Sequence, residues 1–169
     1  MLVEAARRAK VSVTFSIPTL DEDVWRKTEP STAHPRQRLR ALKTLVEAGV
    51  RASVGMAPIL PGISDRPEQL AEVVRAAREA GACGIWANLL FLRPGTREHF
   101  LDNLERDWPE ELERYKRLYR RRAYLGADQT KPLRQAVAEL AKSHGVRDRR
   151  RIRLEPEPPI EAEQLALAV

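Results

Sequence analysis

A single cysteine, Cys83, stands among the 169 residues, so no internal disulfide can form, and the usage suits a reducing compartment. No apolar run approaches the ~18 residues of a membrane span, and the N-terminus lacks a secretory leader pattern. The expectation is a cytosolic chain without membrane contact. Neither a Gly-x4-Gly-Lys phosphate loop nor a nucleophile elbow is found. The three histidines, His34, His99 and His144, are scattered; His99 with Asn103, and Glu98 with Asp102, have helical spacing but no third ligand. Salt bridging or capping is the better reading for all of them. The absence of an acidic or histidine cluster argues against a barrel enzyme of phosphate or metal chemistry.

What is present is a repeated helix-strand unit. Glu47-Ala48-Gly49-Val50 recurs as Glu79-Ala80-Gly81-Ala82, each time closing a helix and opening an apolar strand. An upstream copy, Ala5 to Lys10 running into Val11 to Ile17, makes three units. Alternation of this kind predicts parallel strands covered by helices, an α/β chain. A closed barrel needs ~250 residues, so three strands here predict part of a (β/α) barrel followed by C-terminal helices. Met1 begins inside a helix pattern, which adds to the expectation of a fragment or half.

Residues 11 to 17 alternate, with Val11, Val13, Phe15 and Ile17 on one face and Ser12, Thr14 and Ser16 on the other. In a barrel the apolar face packs on helices and the hydroxyl face lines the lumen. The second strand adds Ser53, Gly55 and Ala57 to that lining, and the third adds Gly84, Trp86, Asn88 and Leu90. Barrel interiors are usually filled by bulky branched side chains, so a small, polar lining predicts space for a ligand. Filling by large residues of a missing half is the alternative.

Pro35 opens a helix with Leu39, Leu42, Leu45 and Val46 at helical spacing and Gly49 as its stop. Ser64 or Asp65 is expected to cap the next, with Pro67 near its start, Leu70, Val73, Val74 and Ala77 inward, and Gly81 at its end. Further helices are predicted after Arg93-Pro94-Gly95, near 109–122, and at 131–144, entered by Pro132 and stopped by Gly145. Residues 1–125 thus form the strand-bearing unit, 126–146 an accessory helix, and 147–169 a basic, then Pro/Glu-rich tail expected to be disordered.

The strand from Val50 stops on Pro58-Ile59-Leu60-Pro61-Gly62, where prolines remove ladder donors and Gly62 reaches angles closed to other residues. Such a segment presents carbonyls and a bare Cα to a flat ring, or makes a plain strand-to-helix turn. SIPTLDEDVW with TEP, then APILPGISD and LLFLRPGTREHF, resemble the C-terminal half of the barrel in radical S-adenosylmethionine (SAM) proteins of the spore-photoproduct-lyase-like, "DNA repair photolyase" branch. The resemblance covers roughly residues 5–125.

That resemblance implies a partial (β/α)6 barrel binding a [4Fe-4S] cluster and SAM, with reductive cleavage giving a 5′-deoxyadenosyl radical. It places Ser16 where a fourth-strand polar residue holds the methionine or ribose part of SAM, with Thr19 as a second candidate. It implies that Ala57, Pro58, Leu60 and Gly62 flank the adenine, matching the family's Gly-x-Ile-x-Gly-x-x-Glu pattern loosely: Pro58 replaces its first glycine and Asp65 its glutamate. Backbone from Leu90 through Leu92 to Arg93 completes the pocket, and Asn88 and Arg93 face adenine or substrate.

The main departure is the missing Cys-x3-Cys-x2-Cys loop. Cys83 alone cannot hold a cluster and reads as a small buried strand residue. The family's cluster loop lies upstream of the part matched here, so the expected partner is a missing N-terminal barrel half or a complementary chain. Thirty Lys plus Arg against 24 Asp plus Glu give a charge of +6. The runs Arg120-Arg121-Arg122 and Arg147 to Arg153 then read either as contacts to DNA phosphates or as solvated, dipole-complementing helix ends. The alternative to an enzyme is a non-enzymatic binding or assembly module that pairs with a separate chain or with nucleic acid.

Overall fold

The computed structural model describes residues 1–147; the expected tail from 148 onward lies outside the described residues. The elements are α1 (Leu2–Arg8), β1 (Ser12–Ser16), α2 (Glu22–Thr28), α3 (Pro35–Glu47), β2 (Arg51–Ile59), α4 (Pro67–Glu79), β3 (Ile85–Leu89), α5 (Thr96–Asp107), α6 (Leu112–Leu118) and α7 (Ala127–Ser143), with a 3-10 turn at Pro109–Glu111. The three strands are parallel and pair in the order β1-β2-β3 in one open sheet, as the alternating pattern predicts.

Alternation along the strands separates the two faces of the sheet. Ala52, Val54, Met56, Ile85, Ala87 and Leu89 are buried against Leu39 and Leu42 of α3, Leu70, Val73, Val74 and Ala77 of α4, and Val137 and Ala141 of α7. Each fully buried Leu, Val or Ile contributes about 1.5–3 kcal/mol relative to exposure. On the other face Ser12, Thr14 and Ser16 are exposed, and the Trp86 ring lies against Gly55, where an added Cβ would meet ring carbon Cζ2 at 2.8 Å. A second cluster, including Leu60, Ile63, Leu90, Leu92, Leu104, Tyr115 and Tyr119, gathers beyond the C-terminal ends of the strands.

Three helices end alike. Gly49, Gly81 and Gly145 have φ of 82°, 82° and 68°. The next residue of each reaches back into the helix: Val50 N–H to Leu45 O, Ala82 N–H to Ala77 O and Val146 N–H to Ala141 O. This is the Schellman arrangement, in which a left-handed glycine satisfies the last carbonyls and turns the chain toward the sheet. Beyond the third, Ile85 N–H donates to Arg147 O at 3.0 Å, so the chain leaves α7 beside β3. Sequence repetition shows the first two ends, and Gly145 stops the third helix as expected.

Several boundaries differ from the sequence expectations. The upstream copy ends without a glycine: Ala9 is extended, and α1 buries no residue. Ser64 and Asp65 do not cap α4, whose N-cap is Arg66; both side chains instead fasten the turn before it. The helix expected near 109–122 is a 3-10 turn followed by α6, which stops at Leu118 and leaves Arg120–Arg122 beyond it. Helix α7 starts at Ala127, and Pro132 lies inside it. A proline there removes one N–H from the ladder, while the Thr130 hydroxyl bonds Gly126 O at 3.0 Å in the preceding turn. Helix α2 follows Asp21, whose carboxylate accepts the N–H groups of Asp23 and Val24.

Candidate functional site at the C-terminal ends of the strands

Between Met56 and Ile59 the register of β2 against β3 shifts, so Ala57 and Pro58 form a bulge joined by a cis peptide bond. The Ser16 hydroxyl donates to Ala57 O at 2.8 Å, linking the end of β1 to this bulge. Past it, Leu60 N–H donates to Ser64 Oγ at 2.9 Å and Gly62 N–H to Asp65 Oδ1 at 2.8 Å, closing the turn into α4. The sequence motif is thus a bulge followed by a self-fastened turn.

Above the strand ends lies a cleft of about 580 Å³, walled by Thr19, Pro58, Leu60 and Leu90 from the strand ends and by residues of α2 and α5 including Lys27, His99, Phe100 and Asn103. Its lining combines aliphatic and aromatic carbon with a few polar groups, the usual composition of a small-molecule site. Thr19 is 3% exposed, and its Oγ accepts Asp21 N–H at 3.0 Å. Lys27 closes one side, its ammonium 4.7 Å from the Trp108 ring centroid and 3.2 Å from Asp107 O. Asn103 Nδ2 donates to His99 O at 2.7 Å and lies 3.3 Å from His99 Nε2, making the spaced pair a hydrogen-bonded contact on one wall.

The structure brings together only some of the expected residues. Thr19, Pro58 and Leu60 line the cleft. Ser16 is exposed on the hydroxyl face beside half-buried Ala57. Asn88 accepts a 2.6 Å bond from Arg134 of α7. Arg93 donates to the Tyr124 hydroxyl at 3.3 Å, a bond that raises the guanidinium pKa above its usual value. Leu92 is 1% exposed in the second core cluster. The Cα of Gly62 is not bare: at φ 83°, the position a Cβ would take is occupied by the Arg114 guanidinium, with Glu111 beside it.

Backbone beyond β3 is also engaged. Leu90 N–H bonds Ile59 O, Leu90 O accepts the buried Tyr119 hydroxyl at 2.7 Å, and Leu92 N–H bonds Ala123 O. Burial pushes the Tyr119 and Tyr115 phenols well above their ordinary pKa, with Tyr119 and Glu111 adding in the same direction at Tyr115. The expected small buried strand cysteine, Cys83, is only half-buried, and its N–H bonds Ala52 O. Among the described residues no group of three or more His, Cys, Asp or Glu is placed to hold a metal ion.

Arg38 is the residue sequence reading missed. It is half-buried and donates to Ala33 O at 2.7 Å, Ser16 O at 2.8 Å and Glu29 Oε2 at 2.6 Å, and to the Thr32 hydroxyl. One guanidinium therefore ties the Thr28-Glu29-Pro30 segment to the end of β1. The acid in that motif was the available signal, since a half-buried carboxylate requires a cation.

Uncharacterized proteins of Mycobacterium tuberculosis and Mycobacterium bovis are each 36% identical to this chain over 140 residues, covering 83% of the chain and 41% of the relative. The chain spans about two-fifths of the length of these curated relatives. No family model and no solved structure matches it.

Proposed function

We propose that the chain is the C-terminal part of a radical SAM enzyme, a partial (β/α) barrel that carries half of a SAM pocket. The observation that carries this reading is the uncovered hydroxyl face, which places Ser16 and the Ala57-Pro58 bulge side by side at the strand ends. Open parallel sheets place ligands at this end of their strands. The residues present would fit part of SAM: the Ser16 hydroxyl, which donates to Ala57 O, would accept a hydrogen bond from its methionine or ribose part, and Ala57, Pro58 and Leu60 would flank its adenine. SAM supplies a carbon radical when it is reductively cleaved beside an iron-sulfur cluster.

The residues do not fit the cluster itself. The one cysteine, half-buried before the entry to β3 and so at the opposite end of the strands, leaves all three thiolates to come from elsewhere. The length of the relatives supports a larger polypeptide as their source. Asn88 and Arg93 would have to give up Arg134 and Tyr124 before facing adenine or substrate.

The test is SAM binding by calorimetry, with anaerobic iron and sulfide content, on this chain and on one extended upstream through a Cys-x3-Cys-x2-Cys segment. Cluster in the extended form alone, with SAM bound, is the expected result. Ser16→Val should weaken SAM binding by about 0.5–1.5 kcal/mol, one hydrogen bond's worth; unchanged affinity removes Ser16 from the site. Absence of cluster in both forms favours the second reading, an assembly module. The open three-stranded sheet is the observation behind it, because an edge strand can pair with another chain.

A further inference from the structure

We infer that Phe91, Tyr124 and the arginines around the α6–α7 connection form a binding surface for single-stranded nucleic acid. Phe91 and Tyr124 are 45% and 54% exposed, and their rings stack on each other at 5.1 Å between centroids with 15° between planes. Large aromatic surface left in water in this ordered way marks an interaction site. The pair is held from both sides: Leu92 N–H bonds Ala123 O at 2.8 Å, joining the two segments, and Arg93 donates to the Tyr124 hydroxyl. A flat platform is therefore fixed before any ligand arrives.

Tyr124 also lines an open cleft of about 380 Å³ with Arg114, Arg117 and Arg122 on its walls and Asp128 as its acid. Arg114 is paired to Glu111 at 3.4 Å, whereas Arg117 and Arg122 make no ion pair among the described residues. Arg120 and Arg121 are exposed close by. Aromatic faces beside uncommitted guanidinium groups match a chain of bases and phosphates, the bases stacking while the phosphates meet arginine. An acidic peptide would use the charge but not the rings. A duplex buries its base faces, and several arginines spread along the connection exceed the needs of one mononucleotide. The surface does not depend on SAM or on a cluster.

The experiment is fluorescence anisotropy of a labelled oligothymidylate with the full chain over a salt series. Binding should weaken about fivefold to a hundredfold in Tyr124→Ala and in Phe91→Ala. Arg117→Ala and Arg122→Ala should each flatten the log-log salt slope by about 0.7. Tyr124→Leu, which keeps apolar bulk, should weaken binding as Tyr124→Ala does, and its thermal melt should match the parent. The aromatic substitutions separate this surface from the arginines at 149–153, outside the described residues. Absence of binding at low salt overturns the inference. So do affinities indifferent to both aromatic substitutions, equal affinity for a duplex of the same length, or displacement by AMP at micromolar concentration.

Discussion

The two faces of the sheet are made of different material. One is a continuous layer of Val, Ile, Met, Leu and Ala closed by α3, α4 and α7; the other exposes Ser12, Thr14 and Ser16, with Ser53 buried beside them and Gly55 under the Trp86 ring. Even the buried Ser53 there stays within a polar pair, 3.0 Å from Thr14 Oγ. The apolar burial therefore lies on the helix side, while the hydroxyl side contributes little of it.

Leu42→Ala gives the largest expected effect, because Leu42 is fully buried in the helix layer. A loss of about 2–5 kcal/mol in urea unfolding is expected; a loss below about 1 kcal/mol would mean that the helix side does not carry the fold. Arg38→Ala should destabilise by about 3 kcal/mol, since it leaves Glu29 half-buried without its cation. Arg38→Lys should restore only part, because an ammonium cannot reach the same set of acceptors at once.

Tyr119→Phe should lower stability by about 1–3 kcal/mol by stranding Leu90 O, with the fold retained. The same residue gives an alkaline signature. Its folded pKa is raised by burial, so its contribution is fully present below the unfolded value of about 10 and is lost as pH rises through the higher folded value. Urea titrations above pH 10 should show a shallower loss in Tyr119→Phe than in the parent, and identical slopes would remove that assignment. Smallest of all, Thr14→Val on the hydroxyl face should stay within about 0.5 kcal/mol in a thermal melt. A loss above about 1.5 kcal/mol there would erase the contrast between the faces.

The contrast itself was legible in the sequence. Period-two alternation from Val11 to Ile17, and the paired Glu-Ala-Gly helix ends, place strands, faces and parallel order, because each depends on local residue type. The strand ends were less legible. The bulge at Ala57 and Pro58 depends on pairing with two neighbours, and the hold of Arg38 on Ser16 joins segments far apart in the chain. Gly62 shows the limit most clearly: its need for a positive φ is readable, whereas the guanidinium that covers it arrives from α6. Leu92 and Asn88 likewise found partners within the protein, one in the core and one on α7.

The shared helix endings at Gly49, Gly81 and Gly145 have an architectural consequence. The first two set the height at which β2 and β3 enter the sheet, and the third returns the chain beside β3, so each lane is added without moving those already laid. Every connection after a strand then emerges at one common rim. Loops at that rim are interchangeable parts: lengthening the stretch between β3 and α7, which here holds α5, α6 and the exposed aromatic pair, changes what the rim meets while the scaffold beneath keeps its shape.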